Sequence, residues 1–83
     1  MQRFVVIGGG AWGTALALTA KRAGRSVILW AREPEVVDSI ARENRNALYL
    51  PDITLTPPIM ATTDPAIASK ADVLLLVPPA QFL

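Results

Sequence analysis

Glycines at positions 8, 10 and 13 of the run Gly8-Gly9-Gly10-Ala11-Trp12-Gly13 stand at the spacing G-x-G-x-x-G. The chemistry that spacing serves is the holding of a pyrophosphate. Gly8 allows a tight turn out of a strand, Gly10 lacks a Cβ so that backbone can come close to a phosphate, and Gly13 lets a helix pack against the strand. The amides of Ala11, Trp12 and Gly13 would then sit at the positive end of that helix, where N–H groups without intrahelical partners bind anions. The bland alternative is that these glycines only make a sharp turn.

A bare glycine string is a weak signal, and its context has to carry it: a strand before, a helix after, and a second strand soon afterwards. Arg3–Gly8 is a short continuous apolar run, the pattern of a strand buried on both faces. Ala11–Ala23 is rich in Ala and Leu and carries Lys21 and Arg22 in its last turn, where cations suit the negative end of the helix dipole. Gly24 follows as a left-handed C-terminal cap. Ser26–Ala31 reads as a second buried strand. Together these predict a strand–turn–helix–strand unit with a right-handed crossover.

The end of that second strand selects among dinucleotides, because NAD-preferring folds place Asp or Glu there to bond the ribose 2′-hydroxyl. Counting along the strand, the position falls on Ala31, with Arg32 next. No carboxylate there would repel a 2′-phosphate, and a guanidinium offers a fork suited to one. This favours NADP, or tolerance of both NADP and NAD. Glu33 is a rival if the strand ends one or two residues later. Trp12 either walls the cofactor site or packs on neighbouring loops, and Trp30 reads as core or subunit packing. Pro79, past the last strand, lies at the carboxyl edge of the sheet, where it either presses on a ligand or merely stops the strand.

Beyond this unit, Pro34 can open a second helix running to about Asn44, with Val36, Val37, Ile40 and Ala41 as its apolar face. Asn44–Pro58 contains Pro51, Pro57 and Pro58 and reads as an irregular connection, of a length that is usually functional or disordered. Ile59–Thr62 suggests a short edge strand. Asp64-Pro65 reads as an N-cap and first turn, opening a short helix to about Lys70. Val73–Val77 is a last, very apolar strand closed by Pro78-Pro79. The alternation predicts an α/β, Rossmann-like parallel sheet with helices on both faces, truncated after the fourth strand, in the order 3-2-1-4.

Composition narrows the function classes. With 83 residues, 52% of them hydrophobic and 18% charged, the chain is one domain at most and is not disordered. A chain of this size buries only about 60–65% of its unfolded surface, so its stability should be marginal. A net charge of +1 without a Lys/Arg cluster argues against nucleic acid. The sequence has no cysteine and no histidine, which removes thiolate metal sites, disulfides and the commonest general base. No segment approaches a membrane span or a secretory leader, so the expectation is a cytoplasmic protein without membrane association.

Longer strings add a family to this reading. The run from Ile7 to Ala17, then Leu29-Trp30-Ala31-Arg32-Glu33-Pro34-Glu35, then Asn46-Ala47-Leu48-Tyr49-Leu50-Pro51, then Val77-Pro78-Pro79-Ala80-Gln81, resembles the opening of bacterial NAD(P)-dependent glycerol-3-phosphate dehydrogenases. The resemblance covers essentially the whole chain in order and spacing. It implies an oxidoreductase that reduces dihydroxyacetone phosphate to sn-glycerol 3-phosphate for phospholipid synthesis in the cytoplasm. It also implies that Ala11 and Trp12 match the family's loop contacts to the cofactor, that Arg32 matches a basic position receiving the adenosine-side phosphate, and that Tyr49 lies in a segment approaching the cofactor. Ala11 replaces a serine found in some members, and Pro78 stands where many have Val.

By the same resemblance the catalytic lysines and the helical substrate domain lie beyond Leu83. Residues 1–83 are then an N-terminal dinucleotide-binding part, expected to bind cofactor and catalyse nothing. Lys21 and Lys70 fall at predicted helix C-termini and are not assigned as acids or bases. Hydride transfer to a carbonyl needs a proton donor and, here, a phosphate clamp, and these residues assemble neither. No catalytic residue and no metal ligand is assigned. The Val73–Val77 strand would present an unprotected apolar edge, from which a homo-oligomer is expected. The alternatives are another reductase of the 6-phosphogluconate or ketopantoate type, a stand-alone nucleotide-sensing module, and a purely structural βα module.

Overall fold

The computed structural model describes residues 2–78. Its elements are β1 (Arg3–Ile7), α1 (Ala11–Arg22), β2 (Ser26–Trp30), α2 (Pro34–Glu43), β3 (Met60–Thr62), a 3-10 helix (Pro65–Lys70) and β4 (Val73–Leu76). All strands pair in parallel, in the order β3-β2-β1-β4. This is the architecture expected from the sequence.

Local chemistry accounts for the boundaries. After α1 the backbone N–H of Arg25 donates to the Ala20 carbonyl and that of Gly24 to Lys21, both near 3.0 Å, and Gly24 has φ +83°. That pair of bonds is a Schellman closure, and its left-handed residue is the glycine that tolerates it. Helix α2 opens on Pro34 and ends on Asn44, also left-handed at φ 54°. The Asp64 carboxylate accepts from the Ala66 amide at 3.0 Å and starts the predicted short helix, which closes as a 3-10 helix with no buried residue.

Two layers form around the sheet. Register and alternation put Phe4, Val6, Val27, Leu29, Ala61 and Leu75 on one face. There they pack with Ala17 and Leu18 of α1 and Val36 and Ile40 of α2. The right-handed crossover rule sends the β3-to-β4 connection over the opposite face, where the 3-10 helix lies against β1. That face is thinly covered: Val5 is buried, but Leu74 and Leu76 are 45% and 71% exposed on the edge strand β4.

The buried face of α2 differs from expectation at one position. Ser39 is buried and Ala41 is exposed. The helix rotates Ser39 inward because its hydroxyl donates to the Arg45 carbonyl at 2.6 Å and accepts from the Ala47 amide at 3.0 Å. Those bonds offset the desolvation of the hydroxyl and turn the chain out of the helix. The connection that follows carries no helix or strand, as expected, yet it is packed: Asn46, Leu55 and Ile59 are all buried. Among the described residues no helix is long and apolar enough to cross a membrane.

Candidate dinucleotide site

The carboxyl ends of β1, β2 and β4 open into a cleft of about 790 Å³, bounded by the glycine loop, Trp12, Trp30, Arg32, Glu33, Tyr49 and Pro78. It lies where the strand order reverses between β1 and β4, the position at which open α/β sheets bind ligands. Of the residues singled out in the sequence, Gly8, Gly10, Ala11, Trp12, Gly13, Arg32 and Tyr49 all line this one cleft. Pro79 lies outside the described residues.

The glycines differ in what demands them. Gly8 has φ +139°, and a Cβ there would sit 2.6 Å from the Val77 carbonyl oxygen. A Cβ on Gly13 would run into the Gly8 carbonyl, and one on Gly9 would lie 2.5 Å from the Ala31 Cβ. These three are required by the fold itself. A Cβ on Gly10 would meet nothing within 4 Å. Gly10 is exposed and lines the cleft, so besides its place as a helix cap a glycine there leaves room for a close approach from outside the protein.

Gly10 is also the N-cap of α1 and provides no side-chain cap, and the first turn contains no acidic residue. The amides of Ala11, Trp12 and Gly13 therefore keep donors at the positive helix end, the electrostatics an anion needs. Trp12 is 72% exposed at the mouth of the cleft, so it is not packed on a neighbouring loop.

At the end of β2 the core reading of Trp30 and the choice of Ala31 are corrected. Trp30, read as core or subunit packing, is half-buried on the cleft wall and donates its indole N–H to the Thr63 carbonyl at 3.0 Å. Ala31, counted as the ribose-selecting position, is fully buried beneath Gly9. The strand ends on Trp30, so the side chains reaching the rim are Arg32 and Glu33. The rim thus carries a carboxylate as well as a guanidinium. Glu33 accepts a hydrogen bond from the Tyr49 hydroxyl at 2.5 Å. That bond, and the negative charge of Glu33, raise the Tyr49 pKa above its ordinary value of 10.0; burial and Glu35 add to the rise and Arg32 opposes it.

Asn46 is the residue that sequence reasoning passed over as a site residue. It is fully buried, and its amide nitrogen donates to the Gly9 carbonyl at 2.7 Å and to the Thr14 hydroxyl at 2.9 Å. Its amide oxygen accepts from the Tyr49 backbone N–H at 3.2 Å. One side chain thereby fixes the glycine loop, the first turns of α1 and the segment bearing Tyr49. The available signal was the length of the irregular connection, which pointed to a function without saying which residue held it.

Comparison with known proteins agrees with this geometry. Residues 3–83 match the family described as NAD-dependent glycerol-3-phosphate dehydrogenase N-terminus. The chain is 61% identical, over its whole length, to the glycerol-3-phosphate dehydrogenase (NAD(P)+) of Paramagnetospirillum magneticum, and spans 30% of that protein. It is 51% identical over 99% of its length to the enzyme of the same name from Parvibaculum lavamentivorans, of which it spans 25%. Among solved structures, glycerol-3-phosphate dehydrogenase from Coxiella burnetii superposes with a TM-score of 0.80 at 34% identity, covering 95% of this chain and 25% of that one. The chain belongs to the NAD-dependent glycerol-3-phosphate dehydrogenase N-terminal family.

Proposed function

We propose that this chain is the dinucleotide-binding part of an NAD(P)-dependent glycerol-3-phosphate dehydrogenase, acting in the cytoplasm in glycerophospholipid synthesis. The observation that carries the reading is the glycine loop, opened at Gly10 and uncapped at the start of α1, at the switch point of the sheet in a member of this family. The backbone of Gly8, Gly10, Ala11, Trp12 and Gly13 would hold the pyrophosphate. Arg32 would meet the 2′-phosphate of NADP, the favoured cofactor, Tyr49 would meet the adenosine side, and Pro79 is proposed as a further cofactor contact.

When bound, the reduced cofactor would supply a hydride to the carbonyl carbon of dihydroxyacetone phosphate, which with a proton on the carbonyl oxygen gives sn-glycerol 3-phosphate. The residues of this chain bind and orient it, and none is assigned as the proton donor. That role and the substrate-phosphate clamp fall to a helical domain carried by the remaining length of such proteins. In keeping with an exposed Leu74 and Leu76 on an edge strand, we also propose that β4 pairs between copies of the chain.

The test is ligand-induced stabilisation. NADPH at ~100 times its dissociation constant should add about 2.7 kcal/mol to the unfolding free energy. Arg32→Ala should weaken NADPH selectively; equal losses for NADPH and NADH would remove the 2′-phosphate role. Light scattering that finds a monodisperse monomer at high concentration would dismiss the β4 contact.

A further inference from the structure

Arg32 and Glu33 are neighbours on the rim of the cleft, and their charges favour different cofactors. A carboxylate there accepts from a ribose 2′-hydroxyl and repels a 2′-phosphate, whereas a guanidinium clamps that phosphate. Adjacent opposite charges tend to pair, and a guanidinium satisfied by a carboxylate is a poor phosphate ligand. Among the described residues the ion pairs are Arg42–Asp38 and Arg45–Glu43, and Arg32 belongs to neither. The Glu33 carboxylate is turned to the Tyr49 hydroxyl instead.

The backbones of both partners are held by the fold. Glu33 is the N-cap of α2, and its carbonyl accepts from the Val36 amide at 3.1 Å. Tyr49 is tied through its own amide to Asn46, which is anchored on the Gly9 carbonyl. The backbone that carries the phenol is therefore held by the same buried amide that holds the glycine loop.

We propose that the Tyr49 hydroxyl is a specificity-determining positioning group: it holds the Glu33 carboxylate off Arg32, so that one rim accepts both a 2′-phosphate and a 2′-hydroxyl. This rests on the dinucleotide reading above. Without the hydroxyl, Glu33 turns to the next donor, Arg32, and the site becomes selective for NAD.

The test uses the whole chain with NADH and NADPH as probes, read by quenching of Trp12 and Trp30, which both line the cleft. Tyr49→Phe should raise the ratio of the NADPH to the NADH dissociation constant about fivefold, the scale of a partly screened charge contact. Glu33→Gln should lower the ratio. In the Glu33→Gln background Tyr49→Phe should leave the ratio unchanged, since the carboxylate it restrains is gone. An unchanged ratio in Tyr49→Phe, or an equal shift with and without Glu33, would overturn this inference alone. Failure of the unaltered chain to bind either dinucleotide would overturn it together with the cofactor reading.

Discussion

The glycine loop and the Asn44–Pro58 connection meet at Asn46, yet they are built by opposite means. The loop is held by close backbone packing of its glycines, Gly13 on the carbonyl of Gly8, Gly9 on Ala31 and Gly8 on Val77, and α1 begins as soon as the turn is made. The connection has no helix or strand of its own beyond the isolated Asn46–Leu50 bridge, and it is held by what it buries elsewhere. Leu55, and Ile59 just past its end, enter the core, and Asn46 reaches back to Gly9 and Thr14. A region with regular structure thus depends on one without it, because the Gly9 carbonyl finds its partner in the connection.

The comparison can be broken from either side. Leu55→Ala, in the connection, should cost about 2–5 kcal/mol, the range for emptying a leucine site in a core. A denaturant midpoint that does not move would show that the connection is a passenger. Gly13→Ala, in the loop, should cost about 3 kcal/mol by forcing a Cβ against backbone. Gly10→Ala should change stability by about 1 kcal/mol or less, the scale of an N-cap exchange, while weakening dinucleotide binding. If Gly10→Ala binds as tightly as the parent, the open side of the loop is not where the phosphate sits.

Asn46→Ala joins the two regions. It should cost about 1–3 kcal/mol by leaving the Gly9 carbonyl and the Thr14 hydroxyl without their buried partner. It should also loosen Tyr49, so hydrogen exchange of the Tyr49 amide should accelerate with that of the loop. Acceleration confined to one region would separate them.

The smallest effect is a titration. Tyr49 is the chain's one tyrosine, so phenolate absorbance reports on it alone. Its folded pKa lies above 10.0. For a raised pKa the folded form binds the proton more tightly, so the contact's contribution is complete below the unfolded value and is lost as pH rises through the folded one. The absorbance midpoint should lie above 10.0 and fall back in Glu33→Gln. A midpoint indifferent to Glu33 would dissolve the contact on which the proposed cofactor tolerance rests.

Much of the fold was legible because it is written in short-range patterns. The apolar runs at Val5, Leu29 and Leu75, the Gly24 cap and the Asp64-Pro65 start each depend on a few adjacent residues, and alternation of elements orders the sheet. The site was legible as far as the loop, since the spacing of its glycines is a local pattern even though Gly8 also packs on the distant Val77. It failed at the end of β2, where a count along the strand chose Ala31. Strand alternation alone cannot tell which face a residue meets once the strand has ended, and Gly9 covers that position. Ser39 displaced Ala41 from the helix interface for a related reason, since its bonds go to residues that have already left the helix.

By itself, then, the sequence determined the family, the parallel sheet and a phosphate-shaped loop, because glycine spacing and apolar runs act over a few residues. Only the tertiary structure decided that Glu33 shares the rim with Arg32, that Trp30 walls the cleft and that Asn46 holds loop to connection. Those outcomes rest on single hydrogen bonds between residues far apart in the chain, such as Asn46 to Gly9 across 37 positions. No local pattern encodes such a bond until the backbone has brought its two ends together.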